Sequence, residues 1–260
     1  MDAHDVSVVL THGAWADGSS WAKVISPLLA AGHHVLAASL PLTSFDADVA
    51  ALELTLERVP GPIVLVAHAY AGAVIAAARN QRVKALVYVT ALAPDEDETV
   101  ADVFYRTAPH PRAPKLTPDG HGLIYLPESA FAGAFAPNAP AEQQALFAAV
   151  QRPIHPACIS TPVPRPRWRD LASWFLIAEQ DYMIVPETQR FMAQRMQARV
   201  RAHNVDHTPL VTAPTVVVDI IREAIAQVRD ALATAAPKPD IGVAHDCDVD
   251  PVISSGATRP

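Results

Sequence analysis

No stretch of the 260 residues approaches the ~18 to 20 uninterrupted apolar residues that a membrane-spanning helix needs. Basic runs are missing as well, and the formal charge of -7 argues against nucleic acid as a partner. Two cysteines, Cys158 and Cys247, are too few for a disulfide framework and fit a reducing cytosol. The first residues, Met1-Asp2-Ala3-His4-Asp5, have neither the basic nor the apolar region of a signal peptide. With 50% hydrophobic and 18% charged residues, a mostly disordered chain is excluded. The expectation is a cytoplasmic enzyme of one large or two small domains, with no membrane and no nucleic-acid partner.

What the chain does have is one stretch around which the rest is organised, Ile63-Val64-Leu65-Val66-Ala67-His68-Ala69-Tyr70-Ala71-Gly72-Ala73-Val74-Ile75. A β-favouring apolar run ends at small residues, and a helix-favouring run follows at once. That predicts a buried strand, a sharp turn and a helix. Small residues are needed because the strand and helix backbones nearly touch there, while the middle side chain is thrust out above the sheet. In a G-x-S-x-G turn of this kind the middle residue is a nucleophilic Ser. Here the frame reads Ala67-His68-Ala69-Tyr70-Ala71, so the nucleophile position holds a methyl group.

Apolar runs alternate with helical patterns along the chain. Val6 to Thr11, His34 to Ala38, Ile63 to His68, Val83 to Leu92, Ser173 to Ala178 and Arg199 to Asn204 read as strands. Helices are expected from Ser19-Ser20, as N-caps, through Ala31, then over Asp46 to Val59, after the elbow, from Pro186, and from Pro214 to Ala235. This alternation implies βαβ units and a parallel sheet, and the near-continuous apolar runs imply strands covered on both faces. Thirteen of the 24 prolines lie between Pro94 and Pro166. Proline forbids long regular elements, so this region reads as an inserted cap with short helices near Glu98–Ala108, Glu128–Phe135 and Ala141–Gln151. The predicted organisation is a core over 1–93, a cap over 94–169, the second part of the core over 170–235, and a poorly ordered tail over 236–260.

Three further sites fall at strand ends, where open α/β sheets place their chemistry. His12-Gly13-Ala14-Trp15 follows the first strand, Asp181 lies in Ala178-Glu179-Gln180-Asp181-Tyr182-Met183-Ile184-Val185-Pro186, and His207 lies in Val205-Asp206-His207-Thr208-Pro209. The order elbow, acid, histidine is that of α/β-hydrolase triads.

On these motifs the chain resembles the small α/β-hydrolases of the carboxylesterase, methylesterase and hydroxynitrile lyase group, over about residues 5 to 235. The resemblance implies an α/β-hydrolase fold: a mostly parallel sheet of about six strands with helices on both faces and the Pro-rich cap. It also implies that Asp181 orients and electrostatically supports His207. The N–H groups of Ala14 and Tyr70 would form the oxyanion hole, and backbone donors survive side-chain replacement. No cofactor is implied; the partner is a small ester or carbonyl compound, and a homodimer is left open.

Alanine has no lone pair, so no acyl-enzyme can form at residue 69. His68 does not replace it, because its position on the turn points away from the usual cavity, and Ser19, Ser20 and Cys158 lie outside the elbow frame. Ala69 is either an engineered Ser-to-Ala knockout or a natural replacement, and Ala67 and Ala71 depart from the usual glycines too. A natural replacement leaves His207 and Asp181 to run non-covalent general acid–base chemistry; the rival is a non-catalytic binding protein on a silenced hydrolase. Trp15, His12, Phe104, Tyr125 and Trp168 are candidate substrate-contacting residues, with Tyr105 and Phe131 beside them, although each aromatic could equally be packing. His203 and His207 are four apart but have no matching ligand cluster, so no metal site is expected. The tail run His245-Asp246-Cys247-Asp248-Val249-Asp250 and the run Glu96-Asp97-Glu98 read as solvated charge.

Overall fold

The apolar runs form six strands in one sheet, in a computed structural model that describes residues 6–235. They are β1 (Ser7–Thr11), β2 (Val35–Ala38), β3 (Ile63–His68), β4 (Val83–Val89), β5 (Ala172–Ala178) and β6 (Arg199–His203). All neighbours are parallel, in the order β2-β1-β3-β4-β5-β6. Every residue of β1 and β3 is buried. Because successive strand side chains point to opposite faces, both faces of the sheet centre are covered.

The core helices are α1 (Ala22–Ala30), α2 (Phe45–Glu57) and α3 (Ala71–Ala77). Between β4 and β5 lie the shorter α4 (Val100–Phe104), α5 (Glu128–Ala130), α6 (Ala141–Val150) and α7 (Ala157–Ser160). After β5 come α8 (Pro186–Arg195), α9 (Pro209–Thr212) and α10 (Pro214–Ala235). Helix α10 packs on β3, β4, β5 and α1, whereas α3 packs on β3, β4 and α2. Apolar residues at helical spacing explain this for α10, where Val217, Ile220, Ile221, Ala224 and Val228 are all buried.

Several local expectations are corrected. Ser19 and Ser20 are not N-caps: Asp17 caps a 3-10 turn over Gly18–Trp21 by accepting the Ser19 N–H at 2.7 Å, and α1 begins only at Ala22. The helix expected near Glu98–Ala108 is limited to Val100–Phe104, started by a capping box between Thr99 and Asp102. The Glu128–Phe135 helix divides into α5 and a π-helical turn over Phe131–Phe135. The short α9 beyond the histidine loop was not anticipated. The expected tail, with His245 to Asp250, lies outside the described residues.

Each of the first four strands is followed by one non-glycine residue in the left-handed region: Trp15 (φ 59°), Leu42 (φ 60°), Ala69 (φ 50°) and Thr90 (φ 45°). Such backbones cost on the order of 1–3 kcal/mol each and persist where the surroundings over-determine them. The strain is concentrated along one edge of the sheet, where its strands end.

Candidate active site

The elbow forms as the local sequence dictates. After β3 the chain reverses at Ala69, whose carbonyl accepts the N–H of Leu92 at 2.9 Å and of Gly72 at 3.1 Å. A Cβ on Gly72 would stand 2.3 Å from the Leu92 oxygen and 2.9 Å from the Ala91 Cβ. The position that tolerates no side chain is therefore Gly72. Alanine is accommodated at 67 and 71, both fully buried.

His207 follows β6 and is 2% exposed; its Nδ1 lies 2.8 Å from Asp181 Oδ2. A carboxylate only accepts, so Nδ1 carries the proton and Nε2 is left with its lone pair. Asp181 is fixed from three further directions. The N–H groups of Met183 and Ile184 donate to Oδ1 at 2.8 and 2.9 Å, and Gln189 Nε2 donates to Oδ2 at 2.9 Å. The His207 carbonyl accepts from His68 Nε2 at 2.8 Å and from the Thr90 hydroxyl at 3.1 Å. Its neighbour Asp206 accepts the Asn138 N–H from the inserted segment and the Thr208 N–H and Thr212 hydroxyl from its own loop. None of Gln189, His68, Thr90 or Asp206 was assigned such a role from the sequence.

The first loop meets the elbow. A Cβ on Gly13 would lie 3.0 Å from the Ala69 Cβ and 3.1 Å from the His68 oxygen, so glycine permits this approach. Ala14 and Tyr70 thereby border the same cavity as Ala69 and His207. Trp15 also lines it, with its ring N–H on the Ile124 oxygen at 2.9 Å and its backbone N–H on the Arg152 oxygen at 3.1 Å. Apart from His207, Tyr70, Tyr105 and the Trp15 ring N–H the cavity wall is apolar. The inserted segment supplies Val100, Ala101, Phe104, Tyr105, Leu116, Ile124, Ile154 and Ile159, and the acid loop supplies Met183 and Ile184.

Of the candidate contact residues, Trp15 and Phe104 are on this wall and three are not. His12 is fully buried behind it: Nδ1 donates to the Gly13 oxygen at 2.9 Å and Nε2 accepts the Leu40 N–H at 3.0 Å. Burial holds its pKa down at about 4, so it is a neutral brace of the first loop. Tyr125 is 45% exposed, because an isolated bridge at Ile124 turns alternate side chains in opposite directions. Trp168 is buried beside Pro94, whose oxygen accepts its ring N–H at 3.4 Å, with Arg169 and Arg195 over its faces. Phe131 packs on Phe135, away from the cavity wall. Glu98 is occupied by Arg195 at 2.9 Å, and His203 ends the edge strand β6.

A third carboxylate escaped the sequence reading. Asp48 on α2 is fully buried and accepts the Tyr70 hydroxyl and the Leu42 N–H, each at 2.7 Å. The signal was present, since position 48 falls on the apolar stripe of α2 with Phe45, Leu52 and Leu56.

Residues 8–220 match a family model described as Alpha/beta hydrolase family. Solved structures agree in fold. Polyneuridine aldehyde esterase superposes with a TM-score of 0.73 at 17% identity over 84% of this chain and 98% of its own. A pyrethroid hydrolase from Sphingobium faniae JZ-2 gives 0.72 at 22% identity, over 88% and 99%. A variant of tomato methylketone synthase I gives 0.72 at 18% identity, over 85% and 98%. No curated protein matches the chain.

Proposed function

From a chain that belongs to the alpha/beta hydrolase family, we propose an enzyme that acts on a small apolar ester or carbonyl compound without a covalent intermediate. One observation carries this reading. A buried His207–Asp181 pair borders an apolar cavity beside residue 69, where the side chain is a methyl group. His207 Nε2 is the base: it takes a proton from the carbon next to a carbonyl, or from a water that attacks it. The charge that develops on the carbonyl oxygen is received by the N–H groups of Ala14 and Tyr70. Asp181 steadies the imidazolium, which then returns its proton to carbon or to a leaving group.

A positioned imidazole is worth about 10² to 10⁴ in rate, and one oxyanion donor about 10² to 10³. The apolar wall strengthens both, since charge interactions grow as the local dielectric falls. An esterase and a methylketone synthase are among the structural neighbours, and esters and ketones both present a carbonyl carbon. The chemistry requires no cofactor, and the free, buried Cys158 suits a reducing cytoplasm.

The left-handed backbone at Ala69 favours a second reading, a serine esterase silenced at its nucleophile. Two measurements separate these readings from a protein that only binds. The first follows α-proton exchange of a medium-chain methyl ketone in D2O by NMR. Exchange by the parent that disappears in His207→Ala supports the base; exchange that survives the substitution sinks it. The second assays Ala69→Ser with p-nitrophenyl acetate and fluorophosphonate labelling. Labelling and cleavage without ketone exchange by the parent support the silenced esterase, and tight ligand binding with neither activity supports the binding protein.

A further inference from the structure

The buried carboxylate beneath the elbow has no part in the chemistry proposed above, yet it holds a residue that does. Tyr70 follows Ala69 directly, and its side chain points down into the fold, where its hydroxyl donates to Asp48 Oδ2 at 2.7 Å. The other oxygen of Asp48 accepts the N–H of Leu42 at 2.7 Å. Leu42 sits in the left-handed region, and its carbonyl accepts the His155 N–H from the inserted segment at 2.9 Å. The buried Cys158 thiol on α7 is pushed up to about 12 by burial and by the neighbouring Asp48. A continuous polar chain thus runs from the segment between β4 and β5, through α2, to the residue whose N–H is proposed above as an oxyanion donor.

We propose that Asp48 is a positioning residue: through the Tyr70 hydroxyl it sets the Tyr70 backbone N–H toward the oxyanion. This rests on the reading of Tyr70 N–H as an oxyanion donor. The physical argument is one of leverage. A tyrosine ring held at both ends, by the elbow backbone and by a buried carboxyl group, cannot rotate about its Cα without breaking a buried hydrogen bond. Burial holds the Asp48 carboxyl above the usual carboxylate range, while the Tyr70 hydroxyl and the Leu42 N–H pull it the other way.

The test needs no turnover. p-Nitrophenolate presents an oxyanion to the cavity, and p-nitrotoluene has nearly the same shape without the charge. Their affinities are measured by calorimetry for the parent, Tyr70→Phe and Asp48→Asn, with thermal unfolding to establish that each variant is folded. The expected result is a phenolate-to-toluene affinity ratio that falls about tenfold in the variants, with p-nitrotoluene affinity unchanged. A ratio unchanged in the folded variants, or equal losses for both ligands, overturns the positioning role. A parent with no preference for the phenolate overturns the oxyanion reading itself, and the role of Asp48 with it. Should Asp48→Asn not fold, Tyr70→Phe decides, since it keeps the ring and removes one oxygen.

Discussion

His68 Nε2 stands 2.8 Å from the carbonyl oxygen of His207, and the two rings are 4.8 Å apart. A carbonyl only accepts, so His68 carries its proton on Nε2, and Nδ1 is left buried without a partner. The elbow and the histidine loop, far apart in the chain, are joined by this bond. The residue that the elbow turns away from the cavity holds the base from behind.

His68→Leu should accordingly displace His207 without abolishing the fold, because the Thr90 hydroxyl still donates to the same carbonyl. Loss of one buried hydrogen bond predicts about 1–2 kcal/mol of stability by urea unfolding. Ketone exchange should drop about tenfold in rate at saturating ketone, with the half-saturating concentration unchanged. A rate equal to the parent's would show that Thr90 alone positions the loop.

Stability should fall on mild acidification. Burial lowers His68 to about 3 and His12 to about 4, from an ordinary value of 6.5. In the folded chain both stay neutral where the unfolded chain takes up protons, so their contribution is complete above pH 6.5 and is lost as pH falls toward 4 and then 3. Each group contributes a slope of up to about 1.4 kcal/mol per pH unit. Urea unfolding at pH 7.5, 6 and 5 measures it, and His12→Gln should remove about half of the slope contributed by the pair.

Gln189 makes three buried hydrogen bonds, to Asp181 Oδ2, to the Ile184 oxygen and from the Ala178 N–H. Gln189→Leu keeps the volume and removes all three bonds, leaving Asp181 Oδ2 with His207 Nδ1 alone, for a loss of about 2–4 kcal/mol. Activity should fall with it, because Asp181 loses one of the donors that fix its orientation. Circular dichroism during denaturation, together with the exchange assay, gives both quantities.

Gly72→Ala should be the most damaging single methyl in the core, since the new Cβ would overlap the Leu92 carbonyl. Strand, turn and helix cannot separate without breaking the bonds from Leu92 and Gly72 to the Ala69 oxygen. A loss of more than about 3 kcal/mol, or insoluble expression, is expected. Ala67→Gly and Ala71→Gly should change stability by only about 1 kcal/mol, as each removes one small buried side chain.

The elbow, the acid and the histidine were legible because each lies where a β-rich run meets Gly, Ala, Asp or His in family order. The strands were legible because buried parallel strands are apolar throughout. The cavity wall was not. Phe104 and Tyr125 are both aromatic and both in the inserted segment, yet one lines the cavity and the other faces water, because Phe104 ends the short helix α4 whereas Tyr125 alternates with the buried Ile124 and Leu126. Asp48 was passed over for a related reason. It stands beside Asp46 in the first turn of α2, where acids are favoured by the helix dipole, so its burial had to be seen against the stripe of Phe45, Leu52 and Leu56.

Residues 94–169 sit between two strands that pair side by side, Ala85 through Val89 with Ala172 through Leu176. Closing a loop of this length is thermodynamically mild, since each doubling of length adds only about 0.6 kcal/mol. Kinetically it matters more. β5 and β6 can join the sheet only after this whole segment has been spanned, and pairings of high sequence separation form late. Refolding should therefore pass through a species in which β1 to β4 are protected from hydrogen exchange while Asp181 and His207 are still apart: a nascent sheet with its base not yet installed.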